Sequence, residues 1–185
     1  MNMLKDNIYG LFIFFCSFSF AQKEANVWHF GEHAIVNFND TSPKAFLFGS
    51  GLNTREGCAT ICDKTTGALL FYTDGTTVWD TTDQMLNGDA LKGHFSSTQS
   101  AVIVPQPGND SIYFIFTVDY RGSNNGLNYS EVNMKLNNGL GAVTSNKNIA
   151  LLDSSTEKIT AIYHQKAAIY GLWHMNGEQM CFMFT

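Results

Sequence analysis

From residue 34 onward the chain alternates short apolar runs with polar turn clusters. Runs of three to six residues rich in Val, Ile, Phe, Tyr and Thr predict strands at 34–38, 45–48, 58–62, 69–73, 77–79, 101–105, 113–118, 127–132, 158–163, 168–173 and 179–184. Between them stand Asp63-Lys64-Thr65-Thr66-Gly67, Asp74-Gly75, Gln106-Pro107-Gly108-Asn109-Asp110, Ser123-Asn124-Asn125-Gly126 and Met175-Asn176-Gly177. Such residues tolerate left-handed backbone or cap their own turns. LLFYTDGTTVW carries the clearest hairpin signal, with Asp74-Gly75 expected to form a tight turn between two β-rich arms. No window of about 12 residues places apolar side chains at i, i+3, i+4 and i+7, so no amphipathic helix is expected.

The strands recur in a loose order. CATICD-KTTG-ALLFYTDGTTVWD, SAVIVP-QPGND-SIYFIFTVDY and KITAIYH-QKA-AIYGLWHM each join an apolar strand, a polar turn and an aromatic-rich strand, and a further strand follows. Aligning Ala59, Ala101 and Ala161 gives spacings of 42 and 60 residues. Strand units recurring at this interval predict an all-β, propeller-like fold of antiparallel four-stranded units, about three to four of them. The competing expectation is a β-sandwich of similar strand density, which does not require the unit to recur.

Residues 1–21 have a different pattern. Lys5 lies in a short polar start, residues 11–20 are apolar, and Ser19-Phe20-Ala21 precedes Gln22. This reads as a signal peptide cleaved before Gln22, and its apolar run is shorter than the roughly 20 residues a membrane span needs. The exported part, 22–185, is then a partial propeller domain, secreted or at the cell surface. It has three cysteines, Cys58, Cys62 and Cys181. Cys58 and Cys62 sit i and i+4 on one strand, roughly 13 Å apart at about 3.3 Å per residue. That separation is too long for a disulfide, so free buried thiols are expected.

Composition agrees with this class. Charged residues are 15% and aromatics 14%, so disorder is not expected. A net charge of −5 argues against a nucleic-acid partner.

WHFGEHAIVNF, EGCATICD…TGALLFYTDGTTVWD, MLNGDALKGHFSSTQSAVIVPQPG, YFIFTVD, GLNYSEVNM and TEKITAIYH, running from Trp28 to His164, carry a resemblance. They are similar to the N-terminal propeller-like region of large secreted proteins of gliding Bacteroidetes. Those proteins end in gliding-motility-associated or type IX secretion sorting domains, often after Ig-like repeats. The resemblance implies export, a surface role and further domains of the same polypeptide beyond Thr185. It implies no activity. The segment from Ala167 onward keeps only part of that family's aromatic pattern.

Motifs for chemistry are absent. There is no G-x-S-x-G, H-E-x-x-H, P-loop or dinucleotide fingerprint, so no cofactor is expected. No Cys or His pairs stand at zinc spacing, and Asp63–Gly67 lacks the alternating acids of a calcium loop, so no metal is expected. His29, His33, His94, His164 and His174 are scattered and read as hydrogen-bonded structural residues. Trp28, Trp79 and Trp173 read as core residues in preference to sugar platforms.

One set of polar residues forms a candidate site. REGCAT, HFSSTQS and STEKIT each lead directly into the first apolar strand of a unit. In a propeller the innermost strands line the axis, so Glu56, Gln99 and Glu157 would face one another, with Ser97 and Thr156 beside them. Two carboxylates and an amide there suit a cation or the hydroxyls of a glycan. The same groups also suit capping of free N–H groups at strand ends, the more ordinary role. The functional expectation is a non-catalytic interaction module whose partner is a glycan or a surface protein. The alternatives are a propeller-type glycan-active hydrolase or lyase, and a structural spacer.

Overall fold

The computed structural model describes residues 22–122, 125–164, 169–174 and 179–182. The leader assigned to 1–21 and the turn at 175–177 lie outside the described residues. The described chain is all-β, with two short 3-10 turns at Tyr120–Gly122 and Asn137–Gly139.

Four antiparallel meanders follow one another along the chain. The first joins β1 (Val27–Phe30), β2 (Ala34–Asn37) and β3 (Lys44–Phe46). The second joins β4 (Ala59–Cys62), β5 (Leu69–Thr73) and β6 (Val78–Trp79). In the third, β7 (Ala101–Pro105), β8 (Ile112–Val118) and β9 (Leu127–Asn133) run side by side. Two short strands, β10 (Ala142–Val143) and β11 (Ile149–Leu152), share the outer edge of β9. The fourth joins β12 (Ile159–His164), β13 (Ile169–His174) and β14 (Gln179–Phe182). All eleven strands expected from the sequence are present; β1, β10 and β11 are additional.

The first hairpins of the later sheets open on Ala59 with Thr73, Ala101 with Thr117 and Ile159 with His174, so the third unit starts two residues before the Ala161 aligned from the sequence. The first strands also meet in chain order, with β1 against β4, β4 against β7 and β7 against β12. Cys58 and Cys62 are free thiols. They donate to the carbonyls of His29 and Val27 at 3.4 and 3.9 Å, which ties β4 to β1.

Two apolar layers hold the stack together. Ile61, Phe71 and Val78 of the second sheet pack on Tyr113, Ile115 and Val132 of the third. On the opposite face of the third sheet, Phe114, Phe116, Val118 and Leu127 pack on Ile159 and Ala161 of the fourth. Successive residues of a strand point to opposite faces, so β8 feeds both layers and is buried from Tyr113 to Val118.

Three sequence expectations need correcting. The units are not four-stranded: in chain order the sheets have three, three, five and three strands among the described residues. Asp74-Gly75 is not a two-residue turn: Thr73 pairs with Val78, leaving four residues, 74–77, in the connection. The Asp74 carboxylate accepts the N–H groups of Thr76 and Thr77 at 2.8 and 2.9 Å and closes that longer loop. Trp28 is not a core residue, being 52% exposed. β1 turns Val27 and His29 inward and Trp28 and Phe30 outward, so its polar member is buried and its aromatics face out.

Candidate functional site

The segments that lead into β4, β7 and β12 meet at one end of the stack. Gly57 donates its N–H to the Ser97 carbonyl at 3.0 Å, and a Cβ at Gly57 would lie 2.8 Å from Ser97 O. Glycine is needed there because the two backbones leave no room for a side chain. On the other side, Gln99 Oε1 accepts the Ile159 N–H at 2.9 Å. Glu157 Oε2 accepts the N–H and hydroxyl of Thr98 at 2.7 and 2.9 Å, and its Oε1 accepts the Arg121 N–H at 2.9 Å.

The five residues singled out from the sequence therefore separate into different roles. Gln99 and Glu157 cap strand and turn backbone across a sheet boundary. The bonds to Thr98 and Arg121 hold the Glu157 carboxyl below the usual carboxylate range. Ser97 is fully buried, and its hydroxyl has no hydrogen-bond partner among the described residues. Thr156 is half-buried and accepts the Lys158 N–H at 3.4 Å. Glu56 is exposed to solvent.

Sequence reasoning missed the residues that dominate this face. Phe95 and His94 stack with ring centroids 4.5 Å apart, and His94 stacks on Tyr120 at 5.0 Å. The Arg55 guanidinium carbon stands 5.7 Å from the Phe95 ring centre, and that of Arg121 stands 4.8 Å from Tyr120. Both distances are within cation–π range. The result is a ladder, Arg55–Phe95–His94–Tyr120–Arg121, built from three separate loops.

Backbone contacts fix each rung. The Arg55 N–H and the Thr54 hydroxyl both donate to the Phe95 carbonyl, at 3.2 and 2.7 Å. His94 Nδ1 accepts the Ser96 N–H at 3.1 Å, which puts the proton of the neutral ring on Nε2. Asp119 accepts the N–H of Tyr120 at 2.7 Å. Arg121 has left-handed backbone, φ 52° and ψ 32°, which costs a non-glycine residue about 1 kcal/mol. One signal was available in the sequence: Arg55 and Arg121 are the only arginines in the chain.

Beside Arg121 lies a shallow cleft of about 470 Å³ lined by Thr98, Ser154, Ser155, Thr156, Glu157 and Lys158. Ser155 is buried, with its hydroxyl unpartnered among the described residues.

A second polar network lies between the first two sheets. His29 stacks on Tyr72 at 3.9 Å, and its Nδ1 is 2.8 Å from Ser50 Oγ. Tyr72 donates to Asp83 and accepts the Gly51 N–H at 2.9 Å. Burial lowers the His29 pKa to about 4 against the opposing pull of Asp83, so the ring is neutral at pH 7. The Ser–His contact looks like a nucleophile and its base. However, Ser50 is buried, its Oγ takes the Leu52 N–H at 3.2 Å, and the nearby Gly51 N–H is spent on Tyr72. The network pins the 49–52 loop.

The chain matches no family model, no curated protein and no solved structure.

Proposed function

We propose that the chain is a non-catalytic, propeller-like interaction module that is exported and displayed at the cell surface. The observation that carries the architecture is the contact of four first strands in chain order, each opening an antiparallel meander. Blades arranged about an axis place their first strands in this way. In this reading the four sheets are consecutive blades, and the loops leading into them form one binding face. Export rests on the apolar segment 11–20 and the small residues Ser19 and Ala21.

The non-catalytic part rests on the carboxylates. A glycosidase needs two acids that protonate or attack substrate, roughly 5–10 Å apart. Glu157 is committed to backbone donors through both oxygens. The decisive experiment incubates the chain with a panel of polysaccharides and follows both retention and chain length. Retention without shortening is expected; release of shorter products would replace this reading with the hydrolase or lyase one.

A further inference from the structure

We propose that the ladder face binds an acidic glycan, with Arg55 and Arg121 each gripping a uronate carboxylate. The inference deepens the interaction-module reading and rests on it for the premise that this face meets a ligand.

The argument starts from the scarcity of arginine. The chain carries nine lysines and two arginines. Both arginines, 66 residues apart in sequence, cap opposite ends of one aromatic stack. A lysine in either place would supply charge; only arginine adds a planar fork that lies on a ring and still points donors outward. Both arginines are exposed, and neither forms an ion pair among the described residues. Each guanidinium rests against a ring of the stack, which reduces the freedom it loses on binding. Arg121 keeps this place on left-handed backbone, where asparagine or glycine is the ordinary choice.

His94 stacks on both Phe95 and Tyr120, and each of those rings carries a guanidinium, so the ligand is placed across the ladder's edge and not between its rungs. Its anionic groups meet the two forks. Two bidentate carboxylate contacts need a ligand with two carboxylates on one chain, as a uronic acid oligomer has. The cleft beside Arg121 supplies polar groups for the rest of a sugar: the hydroxyl of Ser154, which is exposed, and the Lys158 ammonium. Glu157 accepts the backbone N–H groups of Thr98 and Arg121 and forms no ion pair with the Arg121 guanidinium. Glu56 is exposed and next to Arg55 in sequence.

The test is calorimetric titration of the full chain with tetragalacturonate, cellotetraose and a single-stranded oligothymidylate, with thermal melting as a check on folding. Tetragalacturonate is expected to bind, more weakly as salt rises, and cellotetraose is not. Arg55→Gln and Arg121→Gln are each expected to lower affinity by about tenfold or more. Arg55→Lys and Arg121→Lys keep the charge and should fall between wild type and the Gln variants. Glu56→Gln should tighten binding by removing a repelling charge. The inference is overturned if tetragalacturonate does not bind, if cellotetraose or the oligonucleotide binds as tightly, or if well-folded Gln variants bind as wild type. Binding of cellotetraose alone would end this inference and leave the module reading standing. Arginine-dependent binding with cleavage of tetragalacturonate would support it and end the non-catalytic reading.

Discussion

The third sheet and the first are built on the same antiparallel meander yet differ in what they bury. The third has a neighbour on each face: Ile115 and Val132 face the second sheet, and Phe114 and Phe116 face the fourth. The first leaves Trp28, Phe30, Phe46, Leu47 and Phe48 exposed, Phe48 by 81%. Connectivity therefore does not decide burial; position in the stack does. A central sheet can be apolar on both faces, whereas the first sheet is tied down by β4 through cysteine thiols and a polar network.

The largest test of this contrast is a pair of truncations. Phe116→Ala empties a fully buried site between the third and fourth sheets and should cost about 3–5 kcal/mol. Phe48→Ala should stay within about 0.5 kcal/mol, because that ring is already in water. Denaturant midpoints measure both, and equal costs would break the comparison. Glycines give the next contrast. Gly57→Ala drives a Cβ against Ser97 O and Gln99 C, both at 2.8 Å, and should cost about 2–3 kcal/mol. Gly31→Ala, between β1 and β2, meets nothing within 4 Å and pays only for its φ of +57°, about 1 kcal/mol. If Gly31→Ala proves the costlier of the two, the close approach at Gly57 is not the tight point of the fold.

The third sheet was also the more legible of the two in the sequence. β7, β8 and β9 are five to seven residues long and rich in Val, Ile, Phe and Tyr, so pattern alone locates them. β1 was missed because His29 turns inward while Trp28 and Phe30 turn outward, the reverse of the usual alternation. β10 and β11 were missed because two to four residues carry too little period; they exist by pairing with β9. At the candidate site, the turn-rich lead segments could be read, and the structure joins them through Gly57, Gln99 and Glu157. The ladder could not be read, since stacking of Phe95, His94 and Tyr120 depends on how two loops cross. Periodicity has no access to that.

Acid should probe the first sheet selectively. His29 falls from its ordinary value near 6.5 to about 4 in the folded chain. The unfolded chain binds the extra proton first, so stability falls as pH drops below about 6.5 and the loss is complete near 4. Discounted for partial access of water to the ring, the loss should be about 2 kcal/mol. His29→Gln should flatten that slope in midpoints measured from pH 7 to 4. An unchanged slope would mean that the ring is not held neutral by burial, and the network between the first two sheets would lose its centre.

The smallest expected effect separates a charged strut from packing. Glu157 belongs to neither sheet of the comparison; it joins the third sheet's lead segment to the fourth's. Each of its oxygens accepts a backbone N–H, from Thr98 and from Arg121. Glu157→Gln keeps the shape but presents an NH₂ group to one of those donors, leaving an N–H unpaired at a partly exposed site. The cost should be about 1 kcal/mol at pH 7. Its sign with pH is opposite in logic to a raised group: the folded pKa lies below the ordinary carboxylate value of 4.5, so the stabilisation is present above that value. It disappears as pH falls through the folded pKa. The gap between wild type and Glu157→Gln should therefore hold steady from pH 7 to about 4.5, through most of the His29 window, and close as the pH falls further. A gap that persists in acid would show that side-chain packing holds the two lead segments together, and that the carboxylate charge does not.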